Sequence, residues 1–489
     1  MKRLVIGILL LASLVWVWPL KAAEGPAVEG SSEFYFNRGL EQLNAGQLDQ
    51  AVAEFTKSIE KDSGNFRAYT ARGIAYNSGG KTGPALTDFT RAVELNPKFP
   101  VAYTNRASLY AAKGDHDLAV ADLDRAIELD QGAVTAYSIR GGLFLAKSEY
   151  ERAVLDYSKA IEINPAVAEY YRNRGTAYDK LRKFEPAIAD FSKTLELNPE
   201  DQDIYFFRGL TFMATRQFGA AIDDFTDVID LNPAFTEALK YRAIAFVMNG
   251  ELDYAIDDFT SLLEVSPNDV RILNARAAAY FNTGQFDQAA ADFTKVLELG
   301  PGDSEVLRNR GKAYYGMEDF ERAVADYSEA IGKGPERPEL YANRGRAYEA
   351  MDNHEKAVED FSKFVELNPS KAFAYVLRAR AYNGMDQHEK TIADCNKALE
   401  LDPGNHDAYS IRGTAFFSTG QYDLAIADAG KALELNPEDA DAYSDRAMAY
   451  AKKGEFGKAW EDIQQAEKMG LKPDPGFMKD LRKMSRKKK

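Results

Sequence analysis

The stretch 341-YANRGRAYEAMDNHEKAVEDFSKFVELNP-369 decides how the chain folds, because the chain repeats it. Thirty-four residues earlier it reads 307-LRNRGKAYYGMEDFERAVADYSEAIGKGP-335, and thirty-four later 375-YVLRARAYNGMDQHEKTIADCNKALELDP-403. Aligned on an Arg-Gly or Arg-Ala pair, the phrase recurs in thirteen units, from 32–65 and 66–99 to 440–473, with no insertion anywhere. A fixed period of this size marks units that stack, so the 489 residues read as one elongated array and not as several globular domains. The 31 residues in front and the 16 behind are each shorter than the roughly 50 residues a domain needs.

Each unit holds two segments of helical periodicity. With residue 338 as position 1 of its repeat, large residues stand at positions 4 and 11 and Gly or Ala at 8, spacings that share one helix face. The second segment has Ala at 20, an aromatic residue at 24 and an apolar residue at 27. A Gly-rich or polar turn near position 15, as in 249-NGELD-253, separates the two. Proline at position 32 (Pro97, Pro165, Pro199, Pro233, Pro267, Pro369, Pro403, Pro437) stops the second helix, since it lacks an N–H and restricts the residue before it. No unit can bury its apolar face alone, and stacking buries it. The expected fold is an all-α solenoid without strands.

The phrase closely resembles the tetratricopeptide repeat, over about nine-tenths of the chain. Repeat two carries the family's pattern throughout, in Tyr69, Gly73, Tyr76, Ala85, Phe89, Ala92 and Pro97. Repeat nine departs from it in 331-IGKGPERP-338, where Gly332 and Gly334 are expected to loosen the end of the second helix. The resemblance implies a right-handed superhelix of helix-turn-helix hairpins with a concave groove that holds peptides.

One feature exceeds the family's minimal pattern. Position 7 is Arg in all thirteen units, from Arg38 to Arg446, and position 23 is Asp in twelve, with Glu54 in the first. A residue identical in every unit serves what every unit does, so each Arg is expected to pair with a nearby Asp along the stack. Such pairs fix geometry more than they add stability. Replacing Arg242 by Ala should lower the melting point and leave binding alone.

The flanks differ from the array. Lys2 and Arg3 precede an apolar run from Leu4 to Leu20, followed by Ala22 and Ala23, the layout of a secretory signal peptide over residues 1–22. An uncleaved membrane anchor is the alternative. Residues 23–31 form a linker. Either reading places the array outside the cytosol: exported, then periplasmic, envelope-associated or secreted. In the segment 474–489, Asp474 suits an N-cap, Pro475 a first helical position, and Phe477, Met478, Leu481 and Met484 make an apolar stripe, which together describe a capping helix with a basic tail. With +3 on residues 1–22 and +5 on 474–489 out of an overall −15, the array carries −23. That acidity argues against nucleic-acid binding, which needs cations for phosphates. Membrane contact is left to the N-terminal segment or the basic tail.

Chemistry-bearing residues are sparse. The single cysteine, Cys395, takes a slot filled elsewhere by Phe or Tyr and reads as a small apolar residue. His116, His354 and His388 fall at position 17, in the inter-helix turn, and are expected to be exposed, as is His406 at the start of repeat twelve. His-Glu-Lys occurs twice, each time without the second His of a zinc-protease motif, and no Gly-rich phosphate loop follows a strand. The chain is read as non-catalytic, with no cofactor and no metal.

Specificity must then come from residues that vary between repeats. Positions 2, 5, 6, 9, 12 and 13 of the first helix lie opposite the packing positions. Early repeats are polar there. Repeats six to eight are apolar, with Phe206, Leu210, Met213, Ile244, Val247, Met248 and Phe281. Repeats nine to eleven turn basic, with Arg308, Lys312, Arg346 and Arg380, and Asn309 and Asn343 beside them. The expected ligand is an extended protein or peptide whose apolar part lies on repeats six to eight and whose acidic or C-terminal carboxylate groups meet repeats nine to eleven. The clamp for carboxylates in the family is matched incompletely, since Phe373 and Leu377 stand where it would want bases, and Glu339 and Glu349 could neutralise the arginines instead. The function expected is an interaction scaffold for complex assembly. A binder of envelope polysaccharide and a subunit that presents substrate to a separate enzyme are the alternatives.

Overall fold

The computed structural model describes residues 27–487, so the signal segment expected over 1–22 lies outside the described residues. Among the described residues there are 27 helices and no strand. Two helices serve each repeat: the first spans positions 1–13, the second positions 17–30, as in Pro338–Ala350 and His354–Leu367 of repeat ten. The chain divides into two compact units, one ending at Gly250 and the other beginning at Glu251. Within each unit the first helix of a repeat packs on its own second helix, and that helix packs on the first helix of the next repeat. First helices of successive repeats also touch, as in repeats eleven and twelve. This is the stacking of an α-solenoid.

Sequence dictates the breaks. Residue 15 of every repeat adopts a left-handed backbone, with φ from 55° to 84°. Glycine fills that position in seven repeats, whereas Ser148, Arg182, Arg216, Glu318, Asp352 and Asp386 adopt it against the cost of a Cβ. Where position 34 is Asn or Asp, its side chain caps the next repeat: Asn65 accepts from the Ala68 N–H and Asp439 from the Ala442 N–H. Repeat nine differs from expectation. Its second helix runs the usual length, Phe320–Lys333, and the departure is confined to the cap. Gly334 is extended, and the Ser304 hydroxyl donates to the Ala330 carbonyl at 3.0 Å.

Glycine at position 8 sets how closely the paired helices approach. A Cβ on Gly345 would fall 2.6 Å from the Phe361 ring, and one on Gly73 2.7 Å from Phe89. The aromatic residue at 24 therefore lies on the backbone of the first helix, and Phe89, Phe225 and Phe361 are wholly buried. Each such ring contributes roughly 2–3 kcal/mol by leaving water. Several repeats with Ala at 8 carry a smaller residue at 24: Leu123 above Ala107, Cys395 above Ala379, Ile463 above Ala447. Burial pushes the Cys395 thiol up to about 12, in keeping with an inert packing role. Repeat twelve has Gly413 and Ala429 together, and a small hollow of about 10 Å³ opens among Ser410, Gly413, Ala429, Ala442 and Asp445.

The arginines at position 7 pair as expected and do more. Arg344 donates Nε to Asp360 Oδ2 at 2.9 Å and Nη2 to Oδ1 at 2.7 Å, and its Nη1 reaches Ser328 of the preceding repeat at 2.9 Å. Arg72, Arg174, Arg208, Arg276 and Arg310 make the same three bonds, to the aspartate sixteen residues ahead and the hydroxyl sixteen behind. The guanidinium also sits between rings, with Tyr341 and Tyr348 both 6.0 Å from that of Arg344. In repeat one the longer Glu54 leaves a looser pair, 3.7 Å from Arg38.

The histidines at position 17 are not exposed. They are half-buried, and Nδ1 of His116, His354 and His388 is enclosed without a hydrogen-bond partner. Position 17 packs on the end of the next repeat's first helix: Phe286 against Gly316, His354 against Gly384. In most repeats the slot takes an aromatic ring, and histidine supplies one. His406 sits 2.7 Å from Asp439 through Nε2.

At the C-terminal end, Asp474 accepts from the Phe477 N–H and a helix spans Pro475–Lys487. Leu481 is fully buried against Ala447, Ala451, Ala459 and Ile463, with Phe477 and Met478 beside it. Among the described residues no helix is long and apolar enough to cross a membrane.

Candidate functional site

The variable face of the first helices is built from the same hairpins, and its residues divide by what they touch. In the first unit Phe206 is taken up by its surroundings: its ring lies 5.8 Å from Phe225, 5.2 Å from Phe235 and 5.6 Å from Tyr241. Leu210 and Met213 are half-buried in the same cluster. Ile244 is half-buried, whereas Val247 and Met248 are exposed, Met248 by half. Positions 5 and 6 are drawn inward where neighbouring first helices touch. In repeat eleven Val376 and Leu377 at those positions are core residues, 1% exposed.

In the second unit four of the expected residues meet. A cavity of about 330 Å³ is lined by Phe281 and Phe286 of repeat eight, Lys312, Tyr315, Gly316 and Tyr327 of repeat nine, and Asn343 and Arg346 of repeat ten. Its size is at the low end for small-ligand pockets, about 300–1,000 Å³. Phe281 and Phe286 pack at 5.4 Å, and a Cβ on Gly316 would collide with Phe286 at 2.8 Å, so this glycine lets the ring form one wall. Lys312 and Asn343 stand half-buried and Arg346 exposed. Lys312 and Arg346 make no ion pair among the described residues; the guanidinium of Arg346 lies 5.1 Å over the Phe373 ring. Phe373, at a position where a base was wanted, is thus a platform for one.

The remaining cations are partly engaged. Arg308 pairs with Glu305, which also holds Arg337, and its Nε is buried without a partner. Arg380 is half exposed and 4.0 Å from Asp407. Burial, reinforced by Arg308, lowers the Lys312 amine below its usual range. Burial raises the Glu349 carboxyl, against the pull of Arg380, His354 and Arg346. Sequence reasoning missed Phe286, Tyr315 and Tyr327. The signal was Gly316, a glycine late in a helix where side-chain space had to be left for a neighbour.

Helical hairpins stacked in register, with a variable face of apolar and cationic side chains, define a repeat scaffold for protein interaction. Models described as Tetratricopeptide repeat match residues 36–100, 208–270 and 308–372, 168–201, 270–303, 89–121 and 374–405. One described as TPR repeat matches 141–182 and 413–454. The chain belongs to the tetratricopeptide repeat family.

No curated protein matches the chain. Among solved structures it is similar to YrrB, described as a TPR protein with an unusual peptide-binding site, at 24% identity over 38% of this chain and 97% of that one, TM-score 0.36. A tetratricopeptide repeat protein from Parabacteroides merdae matches at 24% identity over 51% of this chain and 98% of that one, TM-score 0.34. The APC/C hetero-tetramer Cut9–Hcn1 matches at 15% identity over 93% and 96%, TM-score 0.39.

Proposed function

We propose that the protein is an exported, non-catalytic scaffold that assembles partners by holding an extended segment with an apolar side chain and a carboxylate at the cavity of repeats eight to ten. One observation carries the reading. Lys312 and Arg346, without ion pairs among the described residues, line an aromatic-walled cavity with Asn343 beside them as an amide donor, in a chain whose net charge is −15. Two cations without an ion pair on an acidic protein favour an anionic partner, through charge-assisted hydrogen bonds. The aromatic walls favour an apolar group next to that anion. Export rests on Lys2, Arg3 and the apolar run to Leu20, and fractionation with N-terminal sequencing of the mature chain tests it.

The binding test uses N-acetyl-leucyl-phenylalanine as free acid and as amide, titrated into the full chain by calorimetry. The free acid should bind at least about tenfold tighter than the amide, a difference of about 1.4 kcal/mol. Arg346→Glu with Arg380→Glu should abolish that preference. Equal binding of acid and amide, or capture unchanged in the double variant, would dismiss the reading.

A further inference from the structure

The aromatic slot at position 24 holds Phe in seven repeats and Tyr in two, as Tyr157 and Tyr327. Both tyrosines are 1% exposed and lie, like the phenylalanines, on the backbone of the first helix. A Cβ on Gly141 would fall 3.2 Å from Tyr157, and one on Gly311 2.7 Å from Tyr327. Packing accounts for the ring and leaves the oxygen to be explained. A buried tyrosine hydroxyl ordinarily has a hydrogen-bond partner, and leaving it without one costs stability. Tyr157 has the side chain of Asn173, sixteen residues on. Asn343 stands at the same spacing from Tyr327, yet Tyr327 makes no hydrogen bond among the described residues.

Tyr327 and Asn343 instead both line the cavity of repeats eight to ten, with Lys312, Tyr315 and Arg346. Tyr315 and Arg346 are also among the groups whose charge acts on the Tyr327 phenol. Burial raises that phenol above its usual range, so the oxygen keeps its proton and has it to give. The wall thus holds a neutral donor without an acceptor, in the same cavity as two cations without an ion pair. We propose that Tyr327 is a binding residue whose hydroxyl donates a hydrogen bond to the partner's carboxylate inside the cavity. This rests on the carboxylate reading of the cavity and adds a residue that sharpens its choice, since a charged acceptor takes a hydrogen bond about twice as strong as a neutral one does.

The test titrates N-acetyl-leucyl-phenylalanine, as free acid and as amide, into the full chain and into its Tyr327→Phe variant. The free acid should bind the variant about tenfold more weakly, and the amide less than about threefold more weakly. Phenylalanine already serves this slot in seven repeats, so the urea midpoint should hold or rise. Tyr157→Phe supplies the contrast: it breaks a bond already made, so it should unfold at lower urea and bind the free acid as wild type does. Three results overturn the role of the hydroxyl and leave the cavity reading standing: free-acid binding unchanged in Tyr327→Phe, an equal loss for acid and amide, or a loss that comes with a lower urea midpoint. Failure of the free acid to bind wild type overturns both.

Discussion

Arg344 holds Asp360 with two hydrogen bonds and Ser328 of the preceding repeat with a third. Arg344→Ala leaves a carboxyl that is 5% exposed without its partner, and the expected cost is about 3 kcal/mol, read from urea unfolding. The sign with pH follows from burial, which already keeps Asp360 above the usual carboxylate range in wild type. A carboxyl whose folded-state pKa is raised weighs against the fold above that pKa and not below it. The deficit of Arg344→Ala should therefore shrink as pH falls into the range where that carboxyl takes up its proton. Glycines at position 8 give a second contrast. Gly345→Ala drives a methyl into Phe361 and should destabilise by about 1–3 kcal/mol. Gly413→Ala meets only ordinary contact, 3.4 Å from Asp428 Cβ, and should stabilise by about 1 kcal/mol through helix propensity. At this scale the sequence was readable where a residue recurs. The arginine–aspartate pair shows as an invariant slot and one that varies once, at Glu54, whereas the third bond hides in position 25, where Thr, Ser, Asn and Asp alternate.

The helices end where they do because of two local devices, the left-handed residue at 15 and the stop near 32. Arg216 adopts φ 60°, a conformation that costs a side-chain-bearing residue about 1–2 kcal/mol. Arg216→Gly should return part of that, about 1 kcal/mol, and Gly250→Val should do the reverse, both measurable by thermal unfolding. Helix boundaries were legible from the periodic pattern. Exposure was not. The turn histidines read as surface residues because a turn is usually wet, yet Nδ1 of each is enclosed, and His354 is pressed onto Gly384 of the following repeat. The variable face was likewise misjudged at Phe206 and Leu377, since contact between successive first helices is a property of the stack and leaves no trace in a single unit. Four of the expected site residues converge nonetheless: Phe281, Lys312 and Arg346 sit late enough on their helices to escape that contact, and Asn343, at position 6, stays half-buried at the cavity wall.

For the molecule as a whole, stability is a sum of units and of the interfaces between neighbours. Damage at one end should stay there. Leu481→Ala removes a fully buried side chain from the terminal helix and should cost about 2–3 kcal/mol locally. Hydrogen exchange should then speed up in residues 440–473 while amides of repeats nine and ten exchange as in wild type. Loss of protection far along the chain would contradict the additive picture.

The spacing of the arginine bonds carries a consequence for the gene. Both partners lie sixteen residues away, one forward and one back, so every cross-link closes within a window shorter than one period. Duplicating or excising thirty-four residues, starting from any point, would restore each bond with an equivalent neighbour, whereas a shift of a single codon would break the register at that joint. The array is built to change length in whole units, and a cavity that draws on three consecutive repeats can be carried intact to a new place along it.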